Sequence, residues 1–367
     1  MNLRPKLLLI GYSGKRNFGD DLLLKQAYIA FHEITEIHIH TSTLDQNSDY
    51  LYSWFPEATI FKSGRLGYKY LKNFTHILQF GGGVFFNYNK IDFKNYWRKR
   101  ASIIKNYSLV KLSGAHFAGI GIGLGPFADR KTEDLCFREL KNFDFLNVRD
   151  QISLELCKTH KYNKVTISED LSLANYKSFH SFKIPDLNRK ERIIICPRKY
   201  PHGKNKNQYL KNLFLVCEEF KYKGKEVIVY GLQSCHDEEV VESFSKKGYQ
   251  TVIWNPVIMN IEDILREFAN CQLIITARMH GLYISGIVDV PVIGIGVHPK
   301  LKLASQLFSK SLCLHDTFEL NEMKEAIQKL IELPENNFEH LFEKENQCKA
   351  QYDLVERWLL GNNLNVF

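Results

Sequence analysis

CQLIITARMHGLYISG, Cys271 to Gly286, changes character at its midpoint. Leu273-Ile274-Ile275 is short, β-branched and bounded by polar residues, which predicts a buried strand. After Thr276-Ala277-Arg278-Met279-His280-Gly281, the apolar residues from Leu282 to Val288 fall at helical spacing. Arg278 and His280 are therefore expected at the carboxyl end of a strand, beside the start of a helix. In open α/β sheets that edge is where ligands bind. A helix start adds backbone N–H groups and a partial positive charge that favour an anion. A fixed cation, an imidazole and a helix N-terminus together describe an anion site with a proton donor.

Upstream, Ile261, Ile264, Leu265 and Phe268 lie on one helical face feeding this strand, and Val292 to Ile295 reads as the next strand. Ile193 to Cys196 (ending at Pro197-Arg198), Val227 to Tyr230 and Thr251 to Trp254 complete a set of strands separated by helical spacing. The first half repeats the pattern. Leu7 to Ile10 runs into Gly11-Tyr12-Ser13-Gly14-Lys15-Arg16-Asn17-Phe18-Gly19-Asp20-Asp21, with helical spacing from Leu22. Further strands are predicted at 37–40, 59–61, 76–80 (ending at Gly81-Gly82-Gly83), 117–123, 145–148 (before Arg149) and 165–167. The glycine spacing after the first strand fits neither a dinucleotide fingerprint nor a P-loop. Residues 175–192 lack a period and read as a linker.

Alternating strands and helices in two halves predict an α/β chain of two doubly wound, Rossmann-like domains facing across a cleft. The expected boundaries are 1–178 for an N-terminal, acceptor-side domain and 190–335 for a C-terminal, donor-side domain. Closing helices are expected over 336–367.

The 367 residues suit two domains, and 44% hydrophobic with 25% charged content is that of a globular protein. A net charge of +8 favours anionic substrates or an anionic membrane surface. Basic charge is not concentrated in a recognition motif, which argues against nucleic acid. Eight scattered cysteines without a Cys-x-x-Cys pair fit a reducing compartment and argue against a disulfide framework or a zinc module. The first apolar run is too short for a signal peptide, and no run approaches the ~18 residues of a spanning helix. A cytoplasmic protein is expected, with peripheral contact at the membrane face left open. The basic, aromatic segment Lys94 to Lys111 reads either as a solvated helix face or as a contact for a lipid-linked, pyrophosphate-bearing acceptor.

Asn17-Phe18-Gly19-Asp20, Gly81-Gly82-Gly83, Val148-Arg149-Asp150-x-x-Ser153, Arg278-Met279-His280-Gly281 and Gly286-Ile287-Val288-Asp289-Val290-Pro291-Val292-Ile293 together resemble the polysaccharide pyruvyl transferase family. The resemblance runs roughly from Lys6 to Lys300, and Arg-x-His-Gly after a strand is its most specific part. It implies a GT-B-like enzyme that moves a pyruvyl group from phosphoenolpyruvate onto a saccharide as a ketal, without cofactor or metal. In one departure, His116 and Ala118 precede the glycines of Gly119 to Gly125 where relatives often carry Gln or Ser.

Each candidate has a structural and a functional reading. Arg278, Arg149 and Arg198 are either ordinary ion-pair partners or clamps for phosphate and carboxylate, with Met279 and Gly281 beside them. His280 either caps its helix or transfers a proton, since an imidazole with its ordinary pKa of about 6.5 suits that work. Asn17 and Asp20 either form a turn and cap or meet acceptor hydroxyls, with Asp20 the weaker candidate for proton transfer. Gly81, Gly82 and Gly83 are a tight turn or an acceptor cradle, and His116 joins the acceptor side. Two other functions compete: a GT-B glycosyltransferase using a nucleotide sugar, and a non-catalytic sugar-phosphate binding subunit.

Overall fold

A computed structural model of the chain describes residues 4–64, 68–83, 85–87, 89–199, 206–296 and 299–361. Contacts divide it into two units. The first holds residues 1–15, 20–174 and 346–367, and the second holds Arg16–Gly19 and Asn175–Glu345. This division places Arg16–Gly19 with the second half of the chain. It also splits the single closing helix Phe338–Leu359 near residue 345.

In the first unit the strands are β1 (Lys6–Ile10), β2 (Glu36–Thr41), β3 (Thr59–Lys62), β4 (His76–Phe80), β5 (Phe85–Asn87), β6 (His116–Ile122), β7 (Leu124–Phe127), β8 (Leu146–Val148) and β9 (Val165–Ile167). Seven of them form an all-parallel sheet in the order β3-β2-β1-β4-β6-β8-β9, while β5 and β7 pair separately. The second unit holds β10 (Arg192–Cys196), β11 (Glu226–Gly231), β12 (Gln250–Ile253), β13 (Leu273–Thr276), β14 (Val292–Ile295) and β15 (Ser311–Leu314). Their order is β12-β11-β10-β13-β14-β15, again all parallel.

Both sheets are doubly wound, and the α/β fold class read from the sequence is the one observed. Strands buried on both faces must be apolar throughout. That is why β10 and β13 are buried at every position. The strand order reverses between β1 and β4 in the first unit and between β10 and β13 in the second. Such switch points open a crevice at the carboxyl ends of the two strands. The segments 11–20 and 81–83 and the Arg-x-His-Gly segment follow β1, β4 and β13, whereas Gly123 and Gly125 follow β6.

The expected linker is more structured than its composition suggests. Tyr176–His180 is helical and Asp186–Asn188 is a 3₁₀ turn. A ring nitrogen of His180 bonds the Ile287 carbonyl at 2.8 Å, and the Arg189 guanidinium donates to the carbonyls of Ile184 and Asp289. Polar groups satisfied one at a time leave no hydrophobic period to read.

At the amino edge of the first sheet, His76 is buried, stacked on His116 at 5.2 Å and set edge-on to Trp358 at 4.5 Å. Burial pushes its imidazole down to about 4, with the neighbouring His116 charge acting in the same direction. A folded pKa below the unfolded value of about 6.5 means the unfolded chain takes up the proton first. Stability is therefore full above pH 6.5 and falls as pH drops towards 4. We expect the His76 contribution to fall by roughly 2–3 kcal/mol between pH 7.5 and 4.5. Urea unfolding of His76→Phe against wild type checks this; equal acid sensitivity in both would remove His76 as the cause.

Candidate active site

At the second switch point, β10 ends at Pro197-Arg198 and β13 at Ala277-Arg278. The bend after β13 is held by one hydroxyl. Thr276 Oγ1 accepts from the Arg278 N–H and donates to the Arg278 carbonyl, both at 3.0 Å. Arg278 stays extended (φ −109°, ψ 128°) and the helix Met279–Ile287 starts immediately after it. Gly281 lets this helix sit on the strand end, because a Cβ there would lie 2.5 Å from Thr276 Oγ1.

The Arg278 guanidinium is mostly buried and faces the β11 side. Nη1 donates to Gln233 Oε1 at 2.8 Å and Nη2 donates to Asp237 Oδ1. Asp237 is fully buried, and its other oxygen accepts from the Gln233 N–H at 3.0 Å. Both terminal nitrogens of the expected anion clamp thus already have protein acceptors. The pair links the start of the helix Ser234–Ser245, which follows β11, to the end of β13. Arg278 is a fixed positive charge whose place is set by a buried carboxylate.

His280, the second residue of its helix, is partly exposed and rests on backbone. A Cβ built on Gly19 would fall 1.8 Å from His280 Nδ1 and 2.4 Å from Cγ and Cε1. Real Cβ atoms never approach so closely, so the imidazole occupies space only glycine leaves open. The segment that carries Gly19 is tied to the same unit. Asn17 and Gln233 form an antiparallel bridge, the Phe18 N–H donates to the Leu232 carbonyl at 2.9 Å, and the Ser234 N–H donates to the Arg16 carbonyl at 3.2 Å. Phe18 is wholly buried, edge-on to Trp254 at 5.1 Å. Asn17 Oδ1 accepts from the Gly19 N–H at 3.2 Å, so Asn17 here forms a turn at the helix start.

Positive charge gathers around this edge. The buried Tyr209 hydroxyl accepts from the Arg198 N–H at 3.2 Å and fixes the backbone where β10 ends. His236 stands beside Asp237 in the first turn of its helix. Partial burial pushes the His236 pKa down; the Arg278 charge adds to this, Asp237 opposes it, and Arg198 and Lys199 push down again. Three cations therefore act on one imidazole.

In the first unit, Gly81 (φ +56°) and Gly82 (φ +78°) both adopt the left-handed region after β4. A Cβ on Gly81 would strike Leu23, and one on Gly82 would lie 3.2 Å from Asp20 Oδ1. Asp20 and Gly82 are thus neighbours at this unit's switch point, while Gly83 is exposed with nothing close by. Arg149 follows β8 and is buried, with Nη1 2.5 Å from the buried Asp170.

His116 requires correction. It opens β6, so it lies at the amino edge of the sheet, opposite the edge that carries Gly81 to Gly83. It is paired with Asp144 at 3.1 Å and stacked on His76. The sequence reading placed it with the glycines that follow, but a seven-residue strand separates the two ends.

Gly19, Gln233, His236 and Asp237 were not among the sequence-derived candidates. A glycine in the first turn of a helix that costs up to about 1 kcal/mol relative to alanine is itself a signal of close packing. Gln233 to Asp237 follow strand β11, the same strand-end position that singled out Arg198 and Arg278. Among the described residues, no group of three His, Cys, Asp or Glu could hold a metal ion.

Comparison with solved structures returns the same architecture at low identity. A UDP-GlcNAc 2-epimerase from Methanocaldococcus jannaschii is 13% identical, with 96% of this chain and 99% of that one aligned and a TM-score of 0.56. MnaA of S. aureus, solved with UDP, is 11% identical over 97% of both chains, with a TM-score of 0.59. The UDP-GlcNAc 2-epimerase of Neisseria meningitidis, bound to UDP-GlcNAc, is 11% identical over 97% of this chain and 100% of that one, at 0.54. At such identity the likeness shows a GT-B-type fold and nothing more. Comparison with curated proteins gives no match. The family model of polysaccharide pyruvyl transferase matches residues 17–299, a span that contains Asn17, Gly19, both arginine-bearing strand ends and His280, and the chain belongs to that family.

Proposed function

We propose that the protein forms a pyruvate ketal on a saccharide of a cell-surface polysaccharide or its precursor, with phosphoenolpyruvate as donor and phosphate as the leaving group. The observation that supports this reading is the second switch point, where His280 sits on a helix start two residues after Arg278 and where Arg198 and Lys199, which follow the neighbouring strand β10, act with Arg278 on His236. Phosphoenolpyruvate carries a phosphate and a carboxylate, so it requires several cations and one proton donor.

In the proposed reaction His280 delivers a proton to the methylene carbon, which becomes the methyl group. The carbon bearing the phosphate turns electrophilic and accepts one saccharide hydroxyl. Its bond to the phosphate oxygen then breaks, and the second hydroxyl closes the ketal. Of the two hydroxyl protons, one restores the acid and the other leaves with phosphate. Arg198 and the first-turn N–H groups of the helix at Met279 to Gly281 hold the donor, since that turn has no intrahelical acceptors. Arg278 contributes charge and fixes the bend that presents His280. Arg149 remains a proposed donor-side cation, and Asp20 with Gly81 and Gly82 is proposed for the acceptor.

The test is incubation with phosphoenolpyruvate and candidate saccharides, following free phosphate and the acceptor mass. We expect acceptor-dependent phosphate release and an acceptor heavier by one pyruvate ketal. Transfer from UDP-sugars with release of nucleoside diphosphate, and none from phosphoenolpyruvate, would replace this reading with a glycosyltransferase.

A further inference from the structure

The helix Phe93–Ser113 is 21 residues long, carries Lys94, Arg98, Lys99, Arg100, Lys105 and Lys111, and contains no acidic residue. A chain-wide charge of +8 spread over 367 residues does not by itself produce such a run. Only Ile103 of its described side chains is buried, so one narrow strip joins the helix to the unit. Leu109 and Val110 pack partly buried against the core near Leu71 and Phe74, whereas four other large apolar residues face outward: Phe93 is 72% exposed, Trp97 46%, Ile104 56% and Leu112 71%. Phe93, Trp97 and Ile104 are separated by four and seven residues, which places them in one line along the helix. Arg100 lies in that line too, stacked over the Trp97 ring at 4.7 Å. Lys94, Arg98 and Lys105 flank it on the solvent side.

We infer that this helix is a docking surface for an anionic lipid bilayer, lying in the interface plane with Phe93, Trp97 and Ile104 at headgroup depth. A polar protein partner would leave four large apolar side chains in water. A nucleic acid would use the cations and leave Ile104 and Leu112 without a role. A bilayer surface alone takes both, because aromatic and aliphatic side chains enter the interface while Lys and Arg meet anionic headgroups. No helix among the described residues is long and apolar enough to cross a membrane, so the contact is peripheral. The inference rests on this helix and not on the reaction.

The full-length protein is floated with vesicles of phosphatidylcholine alone, and of phosphatidylcholine with phosphatidylglycerol as about a third of the lipid. Wild type should float only with the anionic vesicles and be released by salt. The triple variant Lys94→Glu, Arg98→Glu, Lys105→Glu should bind at least about 100-fold more weakly. Phe93→Ala with Trp97→Ala should lower binding about 10-fold or more while leaving binding to heparin unchanged. Because these side chains are exposed, near-ultraviolet dichroism of the variants should match wild type after allowing for Trp97. Equal floating with neutral vesicles, no floating at all, or an aromatic pair whose loss changes nothing would each overturn the inference. So would heparin binding that falls in parallel with vesicle binding in the aromatic variant, since that marks a general polyanion surface.

Discussion

Gly19→Ala is expected to lower turnover about as far as His280→Ala does, by roughly 10²–10⁴-fold, although a single methyl group is all that is added. The backbone at Gly19 is helical and pinned just ahead of it, by the Phe18 N–H to Leu232, by the buried Phe18 ring against Trp254 and by the Gly19 N–H to Asn17 Oδ1. It cannot retreat by the ångström or more that a Cβ 1.8 Å from Nδ1 demands. The imidazole must swing away instead. Alanine is otherwise favoured at a helical position, by up to about 1 kcal/mol over glycine, so the variant should fold. A kinetic cycle separates the causes. In a His280→Ala background, Gly19→Ala should cost almost nothing further, because the clash has gone with the ring. Wild-type turnover in Gly19→Ala would show that His280 does not need its present position.

Much of this arrangement was legible in the sequence. Strands that are buried on both faces in parallel sheets are short apolar runs, and β4 and β14 match the predicted segments to the residue, as does the β-branched edge strand β9. The strand-end positions of Arg198, Arg278 and the glycine run followed from those periods. What stayed hidden depends on contacts across long sequence distances. Nothing local says that Gln233 and Asp237 accept from Arg278, more than forty residues away, or that Gly19 is shaped to His280. β15, Ser311–Leu314, went unread because it has no β-branched residue, three of its four residues are only partly buried and it sits on the sheet edge. The pairing of β5 with β7 was missed for a related reason. Three residues of Phe85–Asn87 carry too little pattern to distinguish a strand from the turn around it.

The anion clamp expected of Arg278 shows where residue chemistry alone misleads. An arginine at a switch point suggests a substrate anion, yet this guanidinium reaches a carboxylate supplied by the chain. That changes what its removal should do. Arg278→Ala is expected to lose activity through loss of stability, by about 3–5 kcal/mol, because it strands the fully buried Asp237 charge. Among the described residues the carboxylate retains only the Gln233 N–H at 3.0 Å, too little to satisfy a charge shut away from water. Asp237→Asn in the same chain should therefore recover a substantial part of the loss, since it removes the orphaned charge while keeping an oxygen for that N–H. Arg278→Lys keeps the charge but cannot reach Gln233 and Asp237 as a fork, and should fall between the two. Urea unfolding of the three variants against wild type measures these differences directly. If Arg278→Ala unfolds at the wild-type midpoint, the ion pair is dispensable to the fold, and the guanidinium is available for the donor after all.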